Sequence, residues 1–215
     1  MSEQRERALE ILRRLAKEYP HAPPTYLMFS SPFEMLIATI LSARATDAGV
    51  NKATPELFGR YPDPESLANA DIESIAKIIR SCGTYNRKSA YIKATATMLV
   101  EDFGGEVPKT LDELIRLPGV NRKTANVVLQ VVFGQAEGIV VDTHVMRVSV
   151  RLGFSQHDKK PDKIEKDLMQ LLPKNKWIDY ARFIGTHGRL ACKSARPRCS
   201  TCPINDLCPS AELFD

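Results

Sequence analysis

Four cysteines near the C-terminal end, Cys192, Cys199, Cys202 and Cys208, fall within 17 residues, separated by gaps of six, two and five. Thiols gathered that closely bind a metal or a cluster. A [4Fe–4S] cluster suits the single compact loop, because zinc ribbons usually pair two short C-x2-4-C knuckles across a longer spacer. The spacing is also unlike that of the ferredoxins, which points away from a simple electron carrier and toward a structural cluster in a larger protein. Tetrahedral zinc and disulfide pairing are the alternatives. Against disulfides stand the local grouping, the unpaired fifth cysteine Cys82 and the lack of secretory context. Cys82 itself reads as a small core thiol.

A second chemical feature is Leu117-Pro118-Gly119-Val120-Asn121-Arg122-Lys123-Thr124-Ala125, which joins two short helices through a tight Pro-Gly turn. Backbone N–H groups of the turn and of the next helix start are expected to point outward unsatisfied. The helix dipole adds partial positive charge, so a DNA phosphate oxygen is a natural ligand for the stretch from Pro118 to Arg122. An ordinary helix-turn-helix corner has the same appearance.

The elements that must hold these groups are helical. Leu9, Leu12 and Leu15, ended by Pro20, give a first helix; Ser31-Pro32 supplies an N-cap and a first-turn proline for residues 33–43. Asp63-Pro64 and Asp71 open further helices, and residues 86–103 form a long one that stops at Gly104-Gly105. Thr110-x-x-Glu113 reads as a capping box for a short helix over residues 111–117, followed by helices over 120–133, 142–152, 161–172 and 177–189. Strand signals are almost absent, and the fold class is all-α.

At 215 residues the chain can bury a substantial core as one unit or two small lobes. Its charged N-terminal segment lacks the apolar run of a signal peptide, and no stretch approaches the roughly 20 apolar residues of a membrane span, so a cytoplasmic protein is expected. Lys and Arg number 15 against 16 Asp and Glu in residues 1–120, but 15 against 10 in residues 121–215. The positive excess is therefore C-terminal, which permits a polyanionic partner.

The hairpin segment, with Val141-Asp142-Thr143-His144 downstream and the four-cysteine array, resembles the helix-hairpin-helix DNA glycosylases of the endonuclease III type. The resemblance runs from Ser30-Ser31-Pro32-Phe33-Glu34 and Leu41-Ser42-Ala43 to Cys208. It implies a helical-barrel lobe over residues 24–136 and a [4Fe–4S] lobe built from residues 1–23 and 137–215, with DNA across the cleft between them. It also implies a DNA-associated protein, expected as a monomer, whose partner is double-stranded DNA with damaged bases or abasic sites.

Lys123 matches the family's catalytic lysine. Its amine can attack the sugar C1′ of a damaged nucleotide, displace the base and leave a Schiff base from which β-elimination breaks the strand. The amine must be neutral, and a helix start in a partly dehydrated cleft disfavours the ammonium. Asp142 matches the catalytic aspartate, able to stabilise positive charge on the sugar and to relay protons; a plain N-cap is its other role. His144 is a candidate phosphate contact or a buried structural histidine. Lys193, Arg196 and Arg198 lie between the first two cluster ligands, where anchored cations would meet phosphates.

Three positions depart from the family pattern. Arg44 stands where a void-filling glutamine is usual, and Thr84 where a bulky leucine wedges the duplex after the base leaves the stack. Asn121 replaces the hairpin's second glycine, a mild change because asparagine enters left-handed backbone readily. The resemblance implies a glycosylase for oxidised pyrimidines with lyase activity. A glycosylase for mismatched thymine, uracil or adenine, a pyrimidine-dimer enzyme and a non-enzymatic cluster-containing DNA-binding protein are the rival readings.

Overall fold

A computed structural model describes residues 3–214. Among them the chain is all-α, as its patterning implies, with helices α1 (Glu3–Glu18), α2 (Pro32–Ser42), α3 (Asp47–Arg60), α4 (Pro64–Ala68), α5 (Ile72–Ile78), α6 (Tyr85–Phe103), α7 (Leu111–Leu114), α8 (Arg122–Phe133), α9 (Thr143–Arg151), α10 (Pro161–Leu171) and α11 (Trp177–Leu190). Among these residues no helix is long and apolar enough to cross a membrane. The chain divides into two compact units, one made of Met1–Pro24 with Ala136–Asp215 and the other of Thr25–Gln135.

In the continuous unit the organising element is α2. Ser31 caps it by accepting from the Glu34 N–H at 3.2 Å, and Pro32 occupies the first turn. Residues 35–41 are buried without a break. A helix that is apolar on all sides belongs in a core, and α2 packs against α3, α6 and α8. Burying side chains such as Leu36, Ile37 and Leu41 completely contributes roughly 1.5–3 kcal/mol each.

Helix α3 is not among the expected helices. Pro55 lies inside it and lacks the N–H that its position calls for. Gly49 further obscures the pattern, yet it is needed: a Cβ there would lie 3.1 Å from the Ser81 carbonyl oxygen. Cys82 is fully buried beside this contact, as a core thiol should be. Gly104 and Gly105 end α6 at φ 60° and 84°, as expected from their lack of a Cβ. Helix α7 is shorter than expected, and α8 begins at Arg122 rather than Val120.

In the discontinuous unit α1 packs on α10 and α11, and α9 packs on the same two helices. Ile11, Leu15, Ile164, Leu168, Tyr180 and Ile184 are fully buried there. Gly188 lets α11 approach α9 closely, since a Cβ at that position would come within 2.9 Å of the His144 Cβ and 3.2 Å of Val148. This contact fixes the helix whose head is Asp142.

Candidate functional site

The hairpin is tightly built in the unit of residues 25–135. Leu117 and Val120 bury their side chains, and the Val120 N–H donates to the Leu117 carbonyl at 3.1 Å. Gly119 takes φ 80°, and any Cβ there would meet the Tyr91 ring at 3.0 Å. The Pro118 carbonyl accepts from the Thr95 hydroxyl at 2.7 Å. Asn121 is not left-handed: it is extended, at φ −100°, and its side chain caps α8 by accepting from the Thr124 N–H at 2.9 Å. The loss of glycine is therefore compensated by capping, which asparagine does as well as any residue. Two N–H groups expected to await phosphate, those of Val120 and Thr124, are already engaged.

Arg122 and Lys123 are exposed in the first turn of α8. In the same unit Arg44 and Thr84 are exposed at two loop tips, with left-handed φ of 54° and 42°. Arg87, one turn from Thr84, donates to the Tyr91 hydroxyl at 2.7 Å, beside Gly119, and is a basic residue that sequence patterning did not single out.

In the other unit Asp142 caps α9. Its Oδ1 accepts from the N–H groups of His144 and Val145, both at 2.8 Å. Its Oδ2 lies 3.6 Å from the Arg189 guanidinium, so one oxygen caps and the other faces a cation. His144 is half-buried, and burial holds its pKa below the ordinary histidine value, which favours the uncharged ring. Its Nδ1 sits 3.3 Å from Arg147. Of its two expected roles, a charged phosphate contact is the less compatible with this setting.

Arg147 and Arg151, four residues apart on α9, reach the cysteine loop together. Arg147 donates to the carbonyls of Cys192 and Gly188, at 3.0 and 2.8 Å. Arg151 donates to the Lys193 and Ser194 carbonyls and lies 3.2 Å from the Cys192 sulfur. Lys193, Arg196 and Arg198 are exposed on the loop thus held. Helix α9 consequently joins the Asp142 cap to the cysteine loop. The spacing of the two arginines was the one sequence signal that could have marked them.

All five cysteines are free thiols. Cys192, Cys199, Cys202 and Cys208 border one cavity of about 420 Å³, counted with the part open to solvent. Among the described residues no three His, Cys, Asp or Glu side chains stand where one ion could be held by them. Burial pushes the Cys202 thiol up to about 11, and its three neighbouring cysteines push the same way. Burial raises Cys208 too. Such a donor set ionises only when a positive centre neutralises it, which suits a metal-containing group. His187, buried and held at about 4, places its Nε2 3.6 Å from the Cys202 sulfur and its Nδ1 3.0 Å from the Tyr19 hydroxyl.

Residues 37–174 match the model of the HhH-GPD superfamily base excision DNA repair proteins. The chain belongs to that superfamily. Endonuclease III of Synechocystis sp. is 46% identical over 212 residues, covering 99% of this chain and 96% of the relative. The Escherichia coli (strain K12) endonuclease III is 44% identical over 207 residues, covering 96% and 97%. A solved structure of an endonuclease III trapped as a covalent intermediate with DNA, an estranged-adenine complex, superposes with a TM-score of 0.90 at 42% identity and covers 99% of both chains. With endonucleases III as relatives at over 40% identity across nearly the whole chain, it acts in base excision repair as a DNA glycosylase with abasic-site lyase activity.

Proposed function

We propose that the protein excises oxidised pyrimidines from double-stranded DNA with Lys123 as the nucleophile. The observation that carries this is the exposed position of Lys123 in the first turn of α8, four residues after Gly119 of the tight turn. Its nitrogen attacks C1′, the base leaves with the C1′–N bond pair, and the sugar opens to an imine. Loss of the 2′ proton then expels the 3′ phosphate by β-elimination. Bound DNA, rather than the protein alone, strips water from the amine. Asp142 presents Oδ2 to stabilise positive charge on the sugar and to move protons, while Oδ1 remains in the cap. Residues 24–136 serve as the hairpin lobe, and residues 1–23 with 137–215 as the cluster lobe. The hairpin from Pro118 to Arg122, together with Lys193, Arg196, Arg198 and the uncharged ring of His144 as a hydrogen-bond donor, contacts the sugar-phosphate backbone.

A panel of duplexes with thymine glycol, uracil, mismatched thymine or a pyrimidine dimer tests the reading. Thymine glycol should be excised fastest and with strand cleavage. Preferential excision of mismatched thymine, of uracil or of the dimer would overturn the assignment of oxidised pyrimidines as the substrate.

Cys192, Cys199, Cys202 and Cys208 hold a [4Fe–4S] cluster in this reading, supported by four free thiols around one cavity and by the neutralising charge they need. When bound, the cluster pins the loop that carries Lys193, Arg196 and Arg198. Purified protein should be brown, with about four irons and four acid-labile sulfides per chain. Colourless, fully active protein carrying stoichiometric zinc would overturn this assignment.

Arg44 enters the space left by the flipped nucleotide, where a guanidinium offers five donors and no acceptor. Guanine O6 and N7 suit it, whereas adenine also presents its own N6 donor, so lesions opposite guanine should be excised faster, by roughly 1 to 3 kcal/mol if the contact is bidentate. The guanine-to-adenine rate ratio should shrink in Arg44→Gln at the same salt. An unchanged ratio would place Arg44 on phosphate.

A further inference from the structure

Lys88 lies on α6 one turn after Thr84, and it is only 4% exposed. Its ammonium donates to the Leu41 carbonyl at 2.7 Å and to the Cys82 carbonyl at 2.6 Å. Leu41 is in the last turn of α2, and Cys82 closes the 3-10 turn Ile79–Cys82. The Ala45 N–H goes to Ser42 rather than to Leu41. Carbonyls at helix ends lack intrahelical donors and carry the negative end of the dipole, so a buried cation is least unfavourable there.

The two acceptors precede Arg44 by three residues and Thr84 by two. Both tips hold non-glycine residues in the left-handed region, and Thr84 is β-branched, for which that conformation is an outlier. Backbone of this kind persists only where its surroundings over-determine it. Lys88 supplies such a restraint to both loops at once, from segments far apart in the chain.

We propose that Lys88 is a positioning residue for strand penetration: one buried ammonium fixes the bases of both loops, so that Arg44 and Thr84 enter the duplex as a set pair. This rests on the reading of Arg44 as the residue that fills the emptied space, and on Thr84 standing at the position where the family's wedge enters. It predicts that removing the ammonium loosens two tips 40 residues apart in sequence together.

Lys88→Met keeps the apolar stem and deletes the donors; Lys88→Leu, which also has none, replaces it if the methionine variant folds poorly. Amide hydrogen exchange in the free protein should rise at residues 43–45 and 83–85, while α8 keeps its protection. Unchanged exchange at both tips in a folded variant overturns the brace. Excision of thymine glycol from duplex should slow about tenfold or more, as a small misplacement can cost that much, with cleavage of an abasic single strand, where no partner strand is penetrated, held within about twofold. Equal losses on both substrates would mean a general structural defect and overturn the proposal. Combined with Arg44→Ala and Thr84→Gly, Lys88→Met should slow excision by no more than about twofold further, since residues acting as one unit are not additive. A full multiplicative loss there also overturns it. Raised exchange at both tips, with normal excision by Arg44→Ala and Thr84→Gly, would leave the brace standing and sink the role of the tips.

Discussion

Treated with borohydride on duplex DNA holding an abasic site or an oxidised pyrimidine, the protein is expected to become covalently attached to the strand, and its Lys123→Ala variant is not. A lysine nucleophile passes through an imine, and reduction of that imine to an amine makes the link permanent. The variant is a clean probe because Lys123 is exposed in the first turn of α8, where alanine is a strong helix former and a surface change shifts stability by about 0.5 kcal/mol or less. Strand cleavage should fall on the order of 10³-fold or more, the scale of losing a covalent nucleophile. Undiminished trapping would identify another amine as the nucleophile.

Asp142→Asn should leave the fold and DNA binding in place while base excision falls by roughly 10²- to 10⁴-fold, the range of a positioned acid or base. The separation is possible because the two oxygens do different things. Oδ1 holds the His144 and Val145 N–H groups, and asparagine caps a helix as well as aspartate, so α9 keeps its start. Oδ2 faces Arg189, and the carboxylate carries a charge that asparagine lacks. Single-turnover excision, a binding titration and a melting curve measured together distinguish the outcomes. Equal turnover by parent and variant reduces Asp142 to a cap.

The caps of Ser31, Thr110 and Asp142 are legible in the sequence because capping is local: a side chain and an N–H two or three residues on suffice. The four-cysteine loop is legible for the same reason. Helix α3 is not, since Pro55 and Gly49 speak against a helix locally and the fit of Gly49 against Ser81 comes from elsewhere in the chain. Asn121 shows a different limit. Its residue type fits both a left-handed turn and an N-cap, and only the backbone path decides between them. Lys88, Arg147 and Arg151 look like solvated surface charges in sequence, yet each has an acceptor more than 40 residues away. A lone buried cation such as Lys88 leaves no periodic trace.

Helix α1 is made well before the segments it binds. Arg7 donates to the carbonyls of Leu152 and Leu207, 145 and 200 residues further along, and Arg14 pairs with Asp206. On a ribosome the continuous unit of residues 25–135 can collapse as it emerges, while α1 waits with its apolar stripe of Ala8, Ile11, Leu12 and Leu15 uncovered. The apolar stripe can be covered only once α10 and α11 have been made, and the bonds from Arg7 to Leu207 and from Arg14 to Asp206 only once the cysteine loop has followed them. The discontinuous unit thus closes in sequence order, its helix-on-helix packing before its arginine clasps.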